Sequence, residues 1–369
     1  MPNKVDLQHK ELIKKILSDG IEKRDRTGVG TKSVFGHQMR FLMDDGFPLL
    51  TLRKIHMKST MHEMLWFLGS YDKDKYDQFG NTNIRYLLDH GVTFWSDWPY
   101  KAYLEARKYR DLPEFTMKEF ESKIVIDDAF AKEFGSIGPG YGKQWVDYGG
   151  YVEKKIIEDG FHDFQGEKVP HHKNEFIVHQ GINQIDKIIE QLRKDPDSRR
   201  IILDAWKVDE LENMLLPPCH MQFQLYSFKM NSEDRLYSYF KWSRENNIPY
   251  GKPMSDFNFS ERKLSMQLYI RSQDVYLGQP FNIAEYALLL HMIAQVVNMI
   301  PHELIINIGD AHLYLNSIDA AKKLLERSGF DLPTLTLNQN IKNIYDFRYE
   351  DIFIKDYKSH SNIPVPVAV

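Results

Sequence analysis

The chain has 369 residues, of which 42% are hydrophobic, and a formal net charge of -4. This supplies enough apolar side chains for one large α/β domain or two smaller ones, and it disfavours a general nucleic-acid binder, which is usually basic. The apolar runs are too short to span a membrane. A single cysteine and a polar N-terminus indicate a cytoplasmic protein, in a host cytoplasm if a phage encodes it.

Apolar spacing predicts the elements in chain order. It gives a helix over 6–20, a strand over 33–42, a helix over 58–68, a helical insertion over 100–134, a helix over 182–192 and a short β-branched strand at 201–203. Strands follow after Cys219, over 264–271 and over 304–308, with a strongly apolar helix over 282–298 between the last two. The polar pair at 171–172 is predicted to lie in a loop. We expect one domain over 1–369, with surface insertions near 70–79, 100–134 and 228–262.

Cys219 is the sole cysteine and follows Pro217 and Pro218. Proline fixes φ, so the pair positions the next residue, and Cys219 is a candidate nucleophile. The alternative is a small buried hydrophobe, which is the commoner role of a cysteine outside a disulfide.

Arginines stand at strand and turn boundaries, namely at Arg26, Arg199, Arg200 and Arg271, the last followed by Ser272. Several guanidinium groups and a hydroxyl would suit a phosphomonoester. Surface salt bridges are the alternative for any one of them. Adjacent arginines before a strand point in opposite directions, so Arg199 and Arg200 would not normally serve one local partner.

Other polar residues interrupt apolar or strand-like segments. Glu63, inside an apolar helix, is either a general acid/base or a boundary residue that reaches solvent. His312 and Tyr314 share one strand face, which could hold a sugar hydroxyl or be an ordinary polar face. Asn282, near a helix start, is either an N-cap or a reader of a pyrimidine edge. No HExxH or CxxC motif is present, so no metal site is predicted.

These segments, in this order, resemble the thymidylate synthase family. The matching pieces are DRTGVGT at 25–31, FGHQMR at 35–40, HEMLWF at 62–67, YGKQW at 141–145, DSRRII at 197–202, PPCH at 217–220, RSQDVYLG at 271–278, PFNIA at 280–284, GDAHLY at 309–314 and PVAV at 366–369. The resemblance covers most of the chain apart from the insertions.

The resemblance implies an α/β fold with a large twisted mixed sheet flanked by helices, and a homodimer formed sheet to sheet. The implied substrates are dUMP and 5,10-methylenetetrahydrofolate, with no metal, no membrane and no nucleic acid. The implied nucleotide-binding residues are Arg26, Arg271, Ser272, Gln224, Asn282, His312 and Tyr314, with Arg199 and Arg200 supplied by the partner subunit. The implied folate-binding residues are Trp95, Asp274, Gly278, Phe281 and Val369.

The implied chemistry is attack of the Cys219 thiolate on C6 of uracil, which makes C5 nucleophilic for one-carbon transfer. Glu63, Tyr141 and His220 would manage proton transfers, Asn282 would read the O4/N3–H edge, Asp274 would assist catalysis, and Val369 would close over the site. Hydride transfer then gives dTMP, whereas attack by water in a dUMP hydroxymethylase would give 5-hydroxymethyl-dUMP.

Three polar residues depart from the family pattern, Gln222, Gln279 and Glu285, and they could order a water for the hydroxymethylase reaction. They could equally be supporting or interface residues without effect on the outcome. Gln273 and Arg53 are further departures. A closed aromatic site with Trp95 and an intact terminus favours the synthase. A non-enzymatic relative is disfavoured because Cys219, Glu63 and the arginines are all present.

Overall fold

The computed structural model describes residues 3–25, 27–164, 167–245, 248–249, 251–257 and 259–366, and for 152–164, 167–176, 178 and 245 only the backbone is considered. Two residues expected at the site, Arg26 and Val369, lie outside the described residues, as does part of the expected insertion near 228–262.

The described α-helices are α1 (Lys4–Asp19), α2 (Met57–Leu68), α3 (Lys73–Tyr76), α4 (Arg85–Asp89), α5 (Asp97–Arg107), α6 (Met117–Ile126), α7 (Asp128–Phe134), α8 (Tyr141–Val146), α9 (Gln184–Lys194), α10 (Ser232–Glu245), α11 (Gln279–Val296) and α12 (Ile318–Leu325). The Asn3 side chain caps α1 by accepting the Asp6 N–H at 2.8 Å, and Gly20 ends the helix by donating its N–H to the Ile16 carbonyl. The structure therefore confirms the helix predicted over 6–20.

The strands are β1 (Ile21–Lys23), β2 (Thr31–Leu42), β3 (Tyr151–Phe164), β4 (Glu167–His179), β5 (Ile202–Asp204), β6 (His220–Lys229), β7 (Arg262–Asp274), β8 (Ile300–Tyr314), β9 (Thr334–Leu337) and β10 (Ile352–Lys355). Six of them form one sheet in the order β1-β2-β8-β7-β6-β5, in which β7 and β8 are parallel and the other neighbours antiparallel. The predicted mixed sheet flanked by helices is confirmed.

One face of this sheet is covered by helices and the other is open. Helix α1 packs on β2, α11 packs on β7 and β8, and α2 packs against α11 and α8. Nearly every residue of α11 is buried, as expected for a helix that is apolar on all sides. The core therefore lies between the inner sheet face and α11, and Gln279 and Glu285 of α11 are buried with it.

The open face carries rows of mainly polar and aromatic side chains. Register places Gln222, Tyr269, Asn307 and Gln38 in one cross-strand row, and Gln224, Gln267, Ile305 and Arg40 in the next. Tyr269 and Tyr226 are exposed to 39% and 61%. Since cross-strand partners share a face, this surface is continuous over four strands.

The segment 100–134 is helical, as predicted, and comprises most of α5 with α6 and α7. Its aromatic side chains pack on one another, with Tyr103 contacting Phe115, Phe120, Phe130 and Phe134 at ring-centroid distances of 5.1–5.8 Å. The loop predicted at 171–172 is wrong, because these residues lie in β4, paired with β3 as a two-stranded ribbon. The polar stretch after β6 also contains a helix, α10.

Candidate active site

Cys219 is held by its backbone immediately before β6. Its N–H donates to Tyr141 Oη at 2.6 Å, and its carbonyl accepts the Arg271 N–H at 2.8 Å. Both of its backbone groups are therefore satisfied by neighbouring elements, α8 and β7. Its side chain is partly exposed, so the thiol is both fixed and accessible.

The Arg271 guanidinium clamps the cysteine turn. Nε donates to the Pro218 carbonyl at 2.8 Å and Nη2 to the Pro217 carbonyl at 2.9 Å, while Nη2 lies 3.9 Å from Cys219 Sγ. The guanidinium also stacks over Trp206, 5.4 Å from the ring centroid. A cation beside sulfur favours the thiolate, which is the nucleophilic form.

Glu63 is buried in α2 and accepts a hydrogen bond from Trp95 Nε1 at 2.7 Å. Its side chain is only 8% exposed, so it is not a boundary residue that reaches solvent. Burial raises the pKa of Glu63 to about 7, against a smaller opposing effect of the Trp95 hydrogen bond. A carboxyl group with this pKa can accept or release a proton near neutral pH.

His220 and Tyr141 stack next to the cysteine, with ring centroids 4.1 Å apart. His220 Nδ1 is 2.6 Å from Tyr286 Oη, and burial lowers the pKa of His220 to about 3. Burial also raises the pKa of Tyr141 well above its usual value. Both rings are therefore neutral near pH 7 and act through hydrogen bonds rather than charge.

Asn282 lies in the first turn of α11 and is not its N-cap, since the helix begins at Gln279. Its Oδ1 accepts from Gln273 Nε2 at 3.2 Å, and its Nδ2 donates to Glu285 Oε2 at 3.4 Å. The carboxamide is thus held between a strand and a helix.

Gln279 and Gln222, the other two polar departures from the family pattern, are not part of the group formed by Asn282, Gln273 and Glu285. Gln279 is buried against α1 and β2, where its Oε1 is 2.7 Å from His9 Nδ1 and its Nε2 contacts Met39 Sδ. Gln222 is exposed on the open sheet face. The expectation that Gln222, Gln279 and Glu285 together order a water is therefore wrong, because their side chains point to three different surroundings.

The candidate sugar-binding residues lie on β8. His312 and Tyr314 face each other edge to face at 5.2 Å, and His312 Nδ1 is 3.1 Å from Asp310 Oδ1. The Gly-rich turn meets the end of this strand, where Leu315 N–H donates to the Gly30 carbonyl at 3.0 Å. Gly30 has a φ of 82°, a backbone conformation that glycine adopts without strain, and a Cβ there would also meet the end of the Leu315 side chain.

The candidate phosphate-binding residues fall into two sets. Arg271 and Ser272 are partly buried near Cys219, whereas Arg199 and Arg200 are exposed just before β5. Gln224 Nε2 donates to the Arg199 carbonyl at 3.0 Å, so Gln224 lies with the exposed arginines on the open face and not with Cys219.

The candidate folate-binding residues lie at the start of α11 and beside Glu63. Asp274 Oδ1 accepts the N–H groups of Tyr276 and Leu277, each at 2.9 Å, and burial raises the pKa of Asp274. Gly278 is the N-cap of α11, and Phe281 lies 5.8 Å from the buried Arg53 guanidinium. Arg53 Nε is buried without a hydrogen-bond partner among the described residues. Aromatic walls with an unused buried donor fit a flat, anionic ligand such as folate.

Tyr286 and Trp206, which support His220 and Arg271, carry no clear signal in the sequence. The one hint concerns Tyr286, because a hydroxyl within an apolar helix needs a buried partner. Across the part of the chain that the structure describes, no cluster of three His, Cys, Asp or Glu residues could hold a metal ion. Within the same ranges, no helix is long and apolar enough to cross a bilayer.

Comparison with known proteins gives similarity over almost the whole chain. A family model described as thymidylate synthase matches residues 7–369. Thymidylate synthases of Mycoplasma mobile and Malacoplasma penetrans are each 39% identical over 362 residues, which is 98% of this chain and 99% of each relative. A thymidylate synthase of Phytoplasma mali is 38% identical over 97% of this chain and 98% of its own length.

Proposed function

The chain belongs to the thymidylate synthase family, and we propose from this premise which of its residues carry out the reductive methylation of dUMP to dTMP. The observation that carries the proposal is the fixed, partly exposed Cys219 with a guanidinium beside its sulfur. The co-substrate is 5,10-methylenetetrahydrofolate, which when bound supplies both the one-carbon unit and the hydride.

Cys219 is the nucleophile in this proposal. The Sγ–C6 bond forms as the C5–C6 π electrons move toward O4, giving an enolate that is nucleophilic at C5. Asn282 supports this step, because an Nδ2–H beside O4 stabilises the developing negative charge. Tyr141 holds the Cys219 N–H and so keeps the sulfur in place.

Glu63 is the proton-transfer residue. With a pKa raised to about 7, it exists in both protonation states under working conditions and can serve alternately as base and acid. The neutral His220 and Tyr141 rings would organise water between Glu63 and the substrate. Asp274 supports the same region by holding the turn that leads into α11.

Trp95, Asp274, Gly278, Phe281 and Val369 would hold the folate. Trp95 and Phe281 supply aromatic surface, Asp274 a polar group, and Gly278 a position without a side chain. Val369, at the end of the chain, would exclude water when it closes over the site.

The phosphate site requires a second subunit in this proposal. Arg26, Arg271 and Ser272 would come from one chain, and the exposed Arg199 and Arg200 from its partner. The open sheet face with Tyr226 and Tyr269 is the surface through which two chains would pair, and it also carries Gln224 beside Arg199. His312 and Tyr314 would hold the 3′-hydroxyl of the sugar. We also propose that residues 1–369 form a single catalytic domain that works in the cytoplasm.

The hydroxymethylase alternative is not favoured. The relatives over the full length are thymidylate synthases, and of the three polar departures only Glu285 contacts a candidate substrate-binding residue.

Product analysis tests the assignment. The full-length protein is incubated with dUMP and methylenetetrahydrofolate, nucleotides are identified by mass spectrometry, and dihydrofolate is followed by absorbance. We expect dTMP and dihydrofolate in equal amounts, and Cys219→Ser should bind dUMP without turning it over. Formation of 5-hydroxymethyl-dUMP without oxidation of the folate would contradict the proposal, and turnover by Cys219→Ser would exclude Cys219 as nucleophile.

A further inference from the structure

The Asn282 side chain forms hydrogen bonds with two residues that depart from the family pattern. These are Gln273 on β7 and Glu285, one helical turn further along α11. Gln273 donates to Asn282 Oδ1 and Glu285 accepts from Asn282 Nδ2. Both contacts specify the same orientation of the carboxamide. Rotating it by 180° would place an N–H against the Gln273 N–H and an oxygen against the Glu285 oxygen.

Gln273 and Glu285 each also have one buried oxygen without a hydrogen-bond partner among the described residues. Gln273 and Glu285 are exposed to 2% and 0%, and the Oε1 atom of each has no hydrogen-bond partner among the described residues. Burying a polar atom without a partner costs free energy, so two of them beside one side chain call for a reason. We attribute the burial of these two side chains to the hydrogen bond that each makes to Asn282.

A carboxamide offers two acceptor positions and two donor hydrogens. Gln273 occupies one acceptor position and Glu285 one donor hydrogen, which leaves one of each for a ligand. Uracil presents N3–H as a donor and O4 as an acceptor, so it fits Oδ1 and Nδ2 in the fixed orientation. Cytosine presents an acceptor at N3 and a donor at N4, and it fits only the rotated carboxamide.

We propose that Gln273 and Glu285 are positioning residues that lock the Asn282 carboxamide in the orientation that accepts uracil and rejects cytosine. The inference rests on the proposed pyrimidine-binding role of Asn282. It extends that role by assigning the discrimination to two residues that do not themselves touch the base. Without the lock, Asn282 could rotate and serve either pyrimidine.

The groups around Glu285 favour the protonated, neutral form of its carboxyl group. Glu63 from α2, Tyr141 from α8 and Tyr286 from α11 are the titratable groups that interact with it. Burial and the charge of Glu63 raise the pKa of Glu285 well above its usual value, so it remains a neutral acid. Its Oε2 accepts from Asn282 Nδ2. A neutral acid adds no negative charge near the uracil O4, where charge develops during the reaction.

The test compares binding of dUMP and dCMP to full-length Gln273→Met and Glu285→Met by calorimetry, without folate. Methionine keeps much of the side-chain volume and removes the hydrogen bond. Gln295→Met is the matched control, since Gln295 lies on α11 and donates to the carbonyls of Asn338 and Ile341. Glu285→Gln is a near-isosteric second variant, in which either the carboxamide oxygen or its NH2 group can face Asn282, so the lock weakens with little change in packing.

We expect the ratio of the dCMP to the dUMP dissociation constant to fall about tenfold in each Met variant, to fall less in Glu285→Gln, and to stay unchanged in Gln295→Met. An unchanged ratio in all site variants, with both affinities intact or lowered equally, would mean a purely structural role and overturn the inference. Wild-type protein that binds neither nucleotide, or binds both equally, would overturn the proposed role of Asn282 as well.

Discussion

The buried carboxyl group of Glu63 should make the stability of the protein depend on pH. Burial raises the pKa of this group from its usual 4.5 to about 7, so between these values the unfolded chain releases a proton that the folded protein retains. Stability due to a raised pKa is fully present below the unfolded value and is lost as pH rises toward the folded one. The variant Glu63→Gln cannot ionise and escapes this loss.

The size of the effect follows from the span of the shift. Each pH unit is worth ~1.4 kcal/mol for one proton, so the span from 4.5 to about 7 corresponds to about 3 kcal/mol. The carboxamide oxygen of the Glu63→Gln variant could still accept from Trp95, so little else should change. Burial is the largest cause of the raised pKa of Glu285, ahead of the charge of Glu63, so we expect this pKa to stay raised in both proteins.

The assay is urea unfolding of the wild type and Glu63→Gln from pH ~4.5 to ~8 at one protein concentration, so that subunit association does not vary. The free energy of unfolding of the variant, relative to wild type, should rise by about 3 kcal/mol up to pH ~7 and then level off. Glu11→Gln, which changes an exposed carboxylate on α1, should show no such trend. A difference that stays constant with pH would refute the reasoning that Glu63 is held neutral by burial.

Three further predictions concern the site. Mixing inactive Arg200→Ala chains with inactive Cys219→Ala chains should restore about a quarter of wild-type activity, because half of the dimers are hybrids with one intact site; no recovery after verified subunit exchange would exclude a shared site. Asn282→Asp should shift binding toward dCMP, and an unchanged preference would mean that the pyrimidine edge is read elsewhere. Tyr141→Phe should lower kcat about tenfold or more, because it removes the hydroxyl that accepts the Cys219 N–H. Tyr103→Phe should retain kcat, because the Tyr103 hydroxyl donates to the Pro113 carbonyl in the insertion; equal rates for both variants would contradict a role for Tyr141.

Much of the fold could be predicted because apolar spacing is strong near the core. Apolar spacing predicts α2 over 58–68, and the helix lies at Met57–Leu68. It predicts α11 over 282–298, and the helix lies at Gln279–Val296. The three-residue error at the start of α11 matters, because it changes Asn282 from a cap to a first-turn residue. Periodicity identifies a helix better than it locates its first residue.

The β3–β4 ribbon could not be predicted from the same pattern. Its strands are rich in Lys, Glu, Asp and His, and these interrupt the alternation of apolar and polar residues by which strands are recognised. Backbone hydrogen bonds join the two strands. Because these bonds do not require particular side chains, the sequence carries no clear signal of the pairing.

Long-range contacts decide which polar residues meet. Gln279 precedes Asn282 by three residues, yet its partner is His9, far away in sequence. Gln222 differs from its buried neighbour Phe223 only by the alternation of a strand, which directs it to the open face. Proximity in sequence to a catalytic segment therefore did not predict membership of the site, whereas Glu285 belongs to it through Asn282.

Cys219 is both the sole cysteine and the residue at the centre of the candidate site. A maleimide or an alkylating fluorophore consequently has a single thiol to modify in each chain, at the position of the expected chemistry. The unaltered protein is thus its own reporter, without removal of background cysteines. The rate of labelling measures how accessible the sulfur is, and protection by a nucleotide would give its occupancy directly.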